Sequence, residues 1–76
     1  MNFTYVTDLS NEKTEFRTPF KRTKYEVISQ TPDLLHTKIE YENGLKVDSK
    51  VYSDKVVLTT NMEFVTNDGV IYELRK

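Results

Sequence analysis

The chain has 76 residues, 11 Lys plus Arg against 12 Asp plus Glu, a net charge of -1 and no cysteine. That length holds one small domain, residues 1–76, and no run of about 18 apolar residues exists to span a membrane. Disulfides, a thiol nucleophile and cysteine-ligated metal sites are excluded, and the start Met1-Asn2-Phe3-Thr4-Tyr5 has neither the basic nor the apolar region of a secretory leader, so the expectation is a cytoplasmic protein.

Ala is absent, while Thr occurs ten times, Val eight and Ile three, with five Tyr and four Phe. Branching at Cβ costs rotamer freedom in a helix and packs well on a pleated sheet, so the composition favours an all-β chain. Phe3 to Thr7 is the first strand, with Phe3 and Tyr5 on one face. Asp8 to Lys13 reads as a turn. Thr14 to Thr18 is a short strand ended by Pro19, which lacks the amide a central strand needs. Thr23 to Ser29 is a third strand, with Tyr25 and Val27 alternating against Lys24, Glu26 and Ile28, and Gln30-Thr31-Pro32-Asp33 breaks it.

The middle third alternates most strictly. Leu35, Thr37, Ile39 and Tyr41 interleave with His36, Lys38, Glu40 and Glu42; Leu45, Val47, Ser49 and Val51 interleave with Lys46, Asp48, Lys50 and Tyr52. A two-residue Asn43-Gly44 turn would set Glu42 against Leu45 and Ile39 against Asp48, apolar against polar. A three-residue loop, Glu42-Asn43-Gly44, sets Tyr41 against Leu45, Ile39 against Val47 and Leu35 against Val51. It also brings Glu40 to Lys46 and Lys38 to Asp48, each opposite-charge pair contributing roughly 0.2–1 kcal/mol. Gly44 then takes the left-handed position.

Lys55 to Thr60 follows as a strand entered through Ser53-Asp54. At the C-terminus, Asn67-Asp68-Gly69 as a three-residue loop pairs Thr66 with Val70, Phe64 with Tyr72 and Met62 with Leu74. The opposite face gets Val65 with Ile71 and Glu63 with Glu73, a repulsive pair that calls for water or a cation such as Arg75. Thr31-Pro32-Asp33 also matches a helix start, which Gly44 would stop, but Leu34, Leu35, Ile39 and Tyr41 fit a helix only in part. The expected fold is therefore a small antiparallel barrel or two-layer sandwich built from hairpins, with at most one short helical turn near 32–35.

No catalytic set stands out. His36, the only histidine, falls opposite Lys50 on the solvent face, and one His with dispersed carboxylates offers no metal-ligand set. Asp48, Asp54 and Asp68 fit turn or ion-pair roles, and both glycines are spent on hairpins rather than on a phosphate loop. The expectation is a non-enzymatic module without cofactor that binds another protein. Tyr52, the one large residue on the charged face of the central hairpin, is a contact candidate, as are Phe3 and Tyr5 in a first strand that no Lys or Pro guards against edge pairing, so a homodimer is also open. Abundant Asn, Lys, Tyr and Thr with scarce Ala, Gly, Pro and Arg suits AT-rich coding, as in low-GC bacteria and their phages. Hence the more specific expectation is a phage-encoded inhibitor of a host or defence factor.

Two alternatives stand beside it. Phe20-Lys21-Arg22-Thr23-Lys24-Tyr25, with Arg17 nearby, sets cations for phosphate between rings for bases, the arrangement of a single-stranded nucleic-acid binder. The third reading is a structural subunit that assembles by edge-strand pairing.

Overall fold

Alternating apolar and polar side chains give a strand one dry face, and this chain repeats the pattern along its length. The computed structural model describes residues 2–67 and 69–75. They form eight strands and no helix: β1 (Phe3–Asp8), β2 (Glu15–Arg17), β3 (Arg22–Gln30), β4 (Leu34–Tyr41), β5 (Lys46–Tyr52), β6 (Lys55–Thr60), β7 (Val65–Asn67) and β8 (Ile71–Glu73). A five-stranded antiparallel sheet in the order β1-β6-β5-β4-β3 packs against a three-stranded sheet in the order β2-β8-β7. The all-β, two-layer expectation is met. The helical alternative over 32–43 is replaced by β4, and the Pro32-Asp33 corner is a tight hairpin turn. There Thr31 N–H donates to the Leu34 carbonyl at 2.9 Å and Leu34 N–H to the Thr31 carbonyl at 3.3 Å.

The β4–β5 hairpin has the expected register: Leu35 faces Val51, Ile39 faces Val47, Lys38 faces Asp48 and Glu40 faces Lys46. Tyr41 N–H donates to the Leu45 carbonyl at 2.9 Å and Gly44 N–H to the Tyr41 carbonyl at 3.1 Å, closing the three-residue loop. Gly44 has a φ of 88°, a conformation that side chains with a Cβ disfavour.

The C-terminal hairpin differs from its expected register. Thr66 faces Tyr72, Val65 faces Glu73 and Asn67 faces Ile71, a slip of two residues; Asp68, part of the expected loop, lies outside the described residues. Period-2 alternation decides which side chains share a face, but a two-residue slip preserves that face and so escapes it. What moves the register is non-local. Phe64 has left the β7 ladder, and its N–H donates to the Tyr5 hydroxyl at 2.6 Å. The far side of β8 is taken by β2 in a parallel pair that sets Phe16 beside Tyr72 and Arg17 beside Glu73. The Glu63–Glu73 repulsion does not arise. Glu73 lies 3.9 Å from Arg75 Nε instead. One cost is visible at Val70, a β-branched residue held at a φ of 60°.

The core is one cluster: Leu45 and Val47 from the first hairpin, Leu58 from β6, and Phe64, Tyr72 and Leu74 from the C-terminal segment. Tyr5, Phe16, Ile39 and Tyr41 pack around it. Burial holds the Tyr41 phenol above its ordinary pKa, partly opposed by the Arg22 guanidinium. Gly44→Ala adds a Cβ that meets open space, so its whole effect is backbone strain. It is expected to lower stability by about 1 kcal/mol in urea titration, with an unchanged midpoint as the contrary result.

Candidate interaction surface

Sheet geometry decides which apolar side chains of β3 have a partner. Tyr25 faces Ile39 and Val27 faces Thr37, so both point to the side of the large sheet that carries the core. Neither is among the residues that pack against the core cluster, to which the three-residue strands of the small sheet contribute Phe16 and Tyr72. Ile39 packs against the core, but Tyr25 is 51% exposed, Val27 47% and the neighbouring Ile28 45%. Leu35 and Val51 share this face, half-buried and outside the core cluster. The result is an apolar strip at one end of the sandwich with no covering layer.

The strip adjoins an open sheet edge. β3 ends the order of the large sheet, and eight of its nine residues are exposed. Main-chain groups alternate in direction along a strand. Tyr41 bonds across to Leu45, which turns the main-chain groups of Tyr41, Ile39 and Thr37 towards β5 and those of Glu40 and Lys38 towards β3. Lys24 and Glu26, their partners, therefore turn inward to β4, and Tyr25 and Val27 present N–H and C=O to the open edge. Irregular steps between Arg22 and Lys24 and between Val27 and Ser29 confine the regular stretch of that edge to residues 24–27.

The residues singled out from the sequence are dispersed. Phe3 and Tyr5 lie half-buried in β1, the other edge of the large sheet. The Tyr5 ring packs edge-on against Phe64 and Tyr72, with centroids 6.0 and 5.1 Å away, and its hydroxyl is engaged by the Phe64 main chain. Tyr52 is half-buried, with the Lys55 ammonium 5.3 Å from its ring centre. Of the basic and aromatic stretch, Phe20 packs against the core and Arg17 sits in the small sheet, 2.8 Å from Glu15. Lys21, Arg22, Lys24 and Tyr25 are exposed together, with the Arg22 guanidinium 5.0 Å from the Tyr25 ring centre and Lys24 3.8 Å from Glu40.

The opposite face of the large sheet is charged. Lys24, Glu26, Lys38, Glu40, Lys46 and Asp48 line a shallow depression of about 460 Å³, their signs alternating so that neither prevails. His36 contacts Asp48 through Nε2, and Ser29 lies directly across β3 from His36. Ser29, His36 and Asp48 thus fall on three adjacent strands; the place of Ser29 depends on the irregular step before it, whereas the His36–Asp48 contact is a diagonal of the expected β4–β5 register that pairing Asp48 with Lys38 alone passed over. No hydrogen bond joins Ser29 to His36 among the described residues, and neither lines the depression. No cluster of three His, Asp or Glu side chains that could hold a metal ion occurs among the described residues. The exposure of Tyr25 and Val27 was also missed. Their alternation identified an inward face, and nothing local in sequence tells how far the second layer extends.

No family model, no curated protein and no solved structure matches this chain.

The Tyr5 hydroxyl ties β1 to the segment entering β7, so Tyr5→Phe leaves the Phe64 N–H without that acceptor. Thermal or urea unfolding is expected to show a loss of about 1–2 kcal/mol, and a stability equal to wild type would remove this tie from the account.

Proposed function

We propose that this chain is a protein-binding module that takes an extended segment of a partner on the β3 edge. The observation that carries this reading is the coincidence of unpaired main-chain groups at Tyr25 and Val27 with the uncovered apolar side chains of the same two residues. Strand addition uses both, main-chain hydrogen bonds for affinity and alternate side chains for selectivity. An exposed tyrosine adds contact area at low entropic cost. The contact set it favours is Tyr25, Val27 and Ile28, in place of Tyr52, Phe3 and Tyr5. Small size and the composition bias support a phage-encoded inhibitor of a host or defence factor as its setting.

Proline at an edge position whose N–H faces solvent leaves the sheet's own ladder intact. Val27→Pro is therefore expected to keep a near-native melting temperature while abolishing retention of the partner that the immobilised wild-type chain captures from host lysate. Equal retention by the variant contradicts the reading.

The Arg22–Tyr25 stack favours a second reading, single-stranded nucleic-acid binding, since an exposed ring under a guanidinium is also a platform for a base. It predicts oligonucleotide binding that weakens steeply with salt and is lost in the Lys21→Ala, Arg22→Ala, Lys24→Ala triple variant. Binding that is absent, or insensitive to salt, removes it. The acids beside Arg17 and Lys24 weigh against it.

A further inference from the structure

We infer that the β3 edge is occupied by a second copy of this chain, paired antiparallel about a two-fold axis through Tyr25; this rests on the reading of β3 as a docking edge. In an antiparallel pair of identical strands, the centre of symmetry decides every contact. Only residues whose main-chain groups face the open edge can form the hydrogen-bonded pairs, which leaves three registers for the regular stretch of residues 24–27.

Centring on Tyr25 sets Tyr25 against its own copy and Lys24 against Glu26 of the other chain, twice by symmetry. Pairing Tyr25 with Val27 instead sets Glu26 against Glu26 across the axis and Lys24 against Ile28. Centring on Val27 sets Glu26 against Ile28 and Lys24 against Gln30. Charge complementarity selects the first.

An edge lysine ordinarily guards against pairing. Here the acid two residues further along the same strand answers it in an antiparallel copy. Both side chains are exposed on the polar face of the sheet. Meanwhile Tyr25 and Val27 of the two chains come together on the opposite face, where each chain leaves them uncovered. The sheet would continue through the axis as ten strands, β3 no longer an edge. On the N-terminal strand, the other edge, the inward residues Phe3, Tyr5 and Thr7 are already half-buried or buried, and the exposed apolar side chain, Val6, stands alone between Tyr5 and Thr7.

The test is sedimentation velocity over a concentration series. The wild-type chain should dimerise, and Lys24→Glu and Glu26→Lys should each associate about tenfold or more weakly, because each sets like charges opposite each other twice. Mixing the two variants restores both opposite-charge contacts, so the mixture should recover association that neither has alone; this comparison holds even where the single variants lose some stability. A second measurement uses the absence of native cysteine. Under copper-phenanthroline oxidation, Tyr25→Cys should crosslink two chains efficiently, since a hydrogen-bonded pair on the axis holds its Cα atoms about 5.5 Å apart. Val27→Cys should not. A monomer at all concentrations, a mixture no better than its components, or crosslinking through Val27→Cys in preference to Tyr25→Cys would overturn the inference. A monomer that still captures a foreign partner in a manner sensitive to Val27→Pro overturns the second copy alone and leaves the docking edge standing.

Discussion

A small sheet cannot cover a large one, and this mismatch governs the molecule. Strands of six to nine residues build the five-stranded layer; strands of three build the other. Burial therefore concentrates where the layers overlap, around Leu45, Val47, Leu58, Phe64, Tyr72 and Leu74. Beyond the overlap the large sheet keeps its alternating pattern but has nothing to pack against. Tyr25 and Val27 are inward by register and outward by exposure.

Chain connectivity explains why the overlap sits where it does. β2 and the β7–β8 hairpin come from opposite ends of the chain and meet in the only parallel pair among the described strands. Phe16 is thereby brought 4.8 Å from the Phe64 ring centre. Tyr5 fastens the entry to β7, and the Thr7 hydroxyl contacts that of Tyr72. The Tyr5 and Thr7 contacts hold the C-terminal segment against β1, and the Phe16 ring reaches Tyr41 of β4, 6.4 Å between ring centres. Phe20, between β2 and β3, packs against the core, whereas Tyr25 and Val27 further along β3 stay exposed. A domain of this size buries a modest share of its surface, so an uncovered end is where further apolar burial remains available.

Local pattern was legible wherever a pair of neighbouring strands decided the outcome. The β4–β5 register followed from rejecting apolar-against-polar pairs, and the two opposite-charge pairs it placed across the hairpin fell in register, although the carboxylates meet other partners, Lys24 for Glu40 and His36 for Asp48. The same reasoning chose the wrong β7–β8 register because Phe64 answered to Tyr5, 59 residues away, rather than to β8. Phe20 looked like a stacking ring because cations follow it in sequence, yet it turns into the core while Tyr25, at the other end of the stretch, stays outside. Both rings carry the same residue-level signal. What separates them is whether the second layer lies above, and that is a property of the assembled fold. Ser29 was hidden for a related reason, since an irregular step in β3 resets which residue faces His36.

Amide hydrogen exchange on the dilute chain, at concentrations where sedimentation finds only monomer, tests the open edge most directly. Residues whose N–H points to β4 should be protected and those whose N–H points away should not. Slow exchange is expected at Lys24 and Glu26 and fast exchange at Tyr25 and Val27, alternating along the same strand. Protection at Tyr25 and Val27 equal to that at Ile39 would mean that the edge is already paired or covered within one chain, and would contradict an open β3 edge.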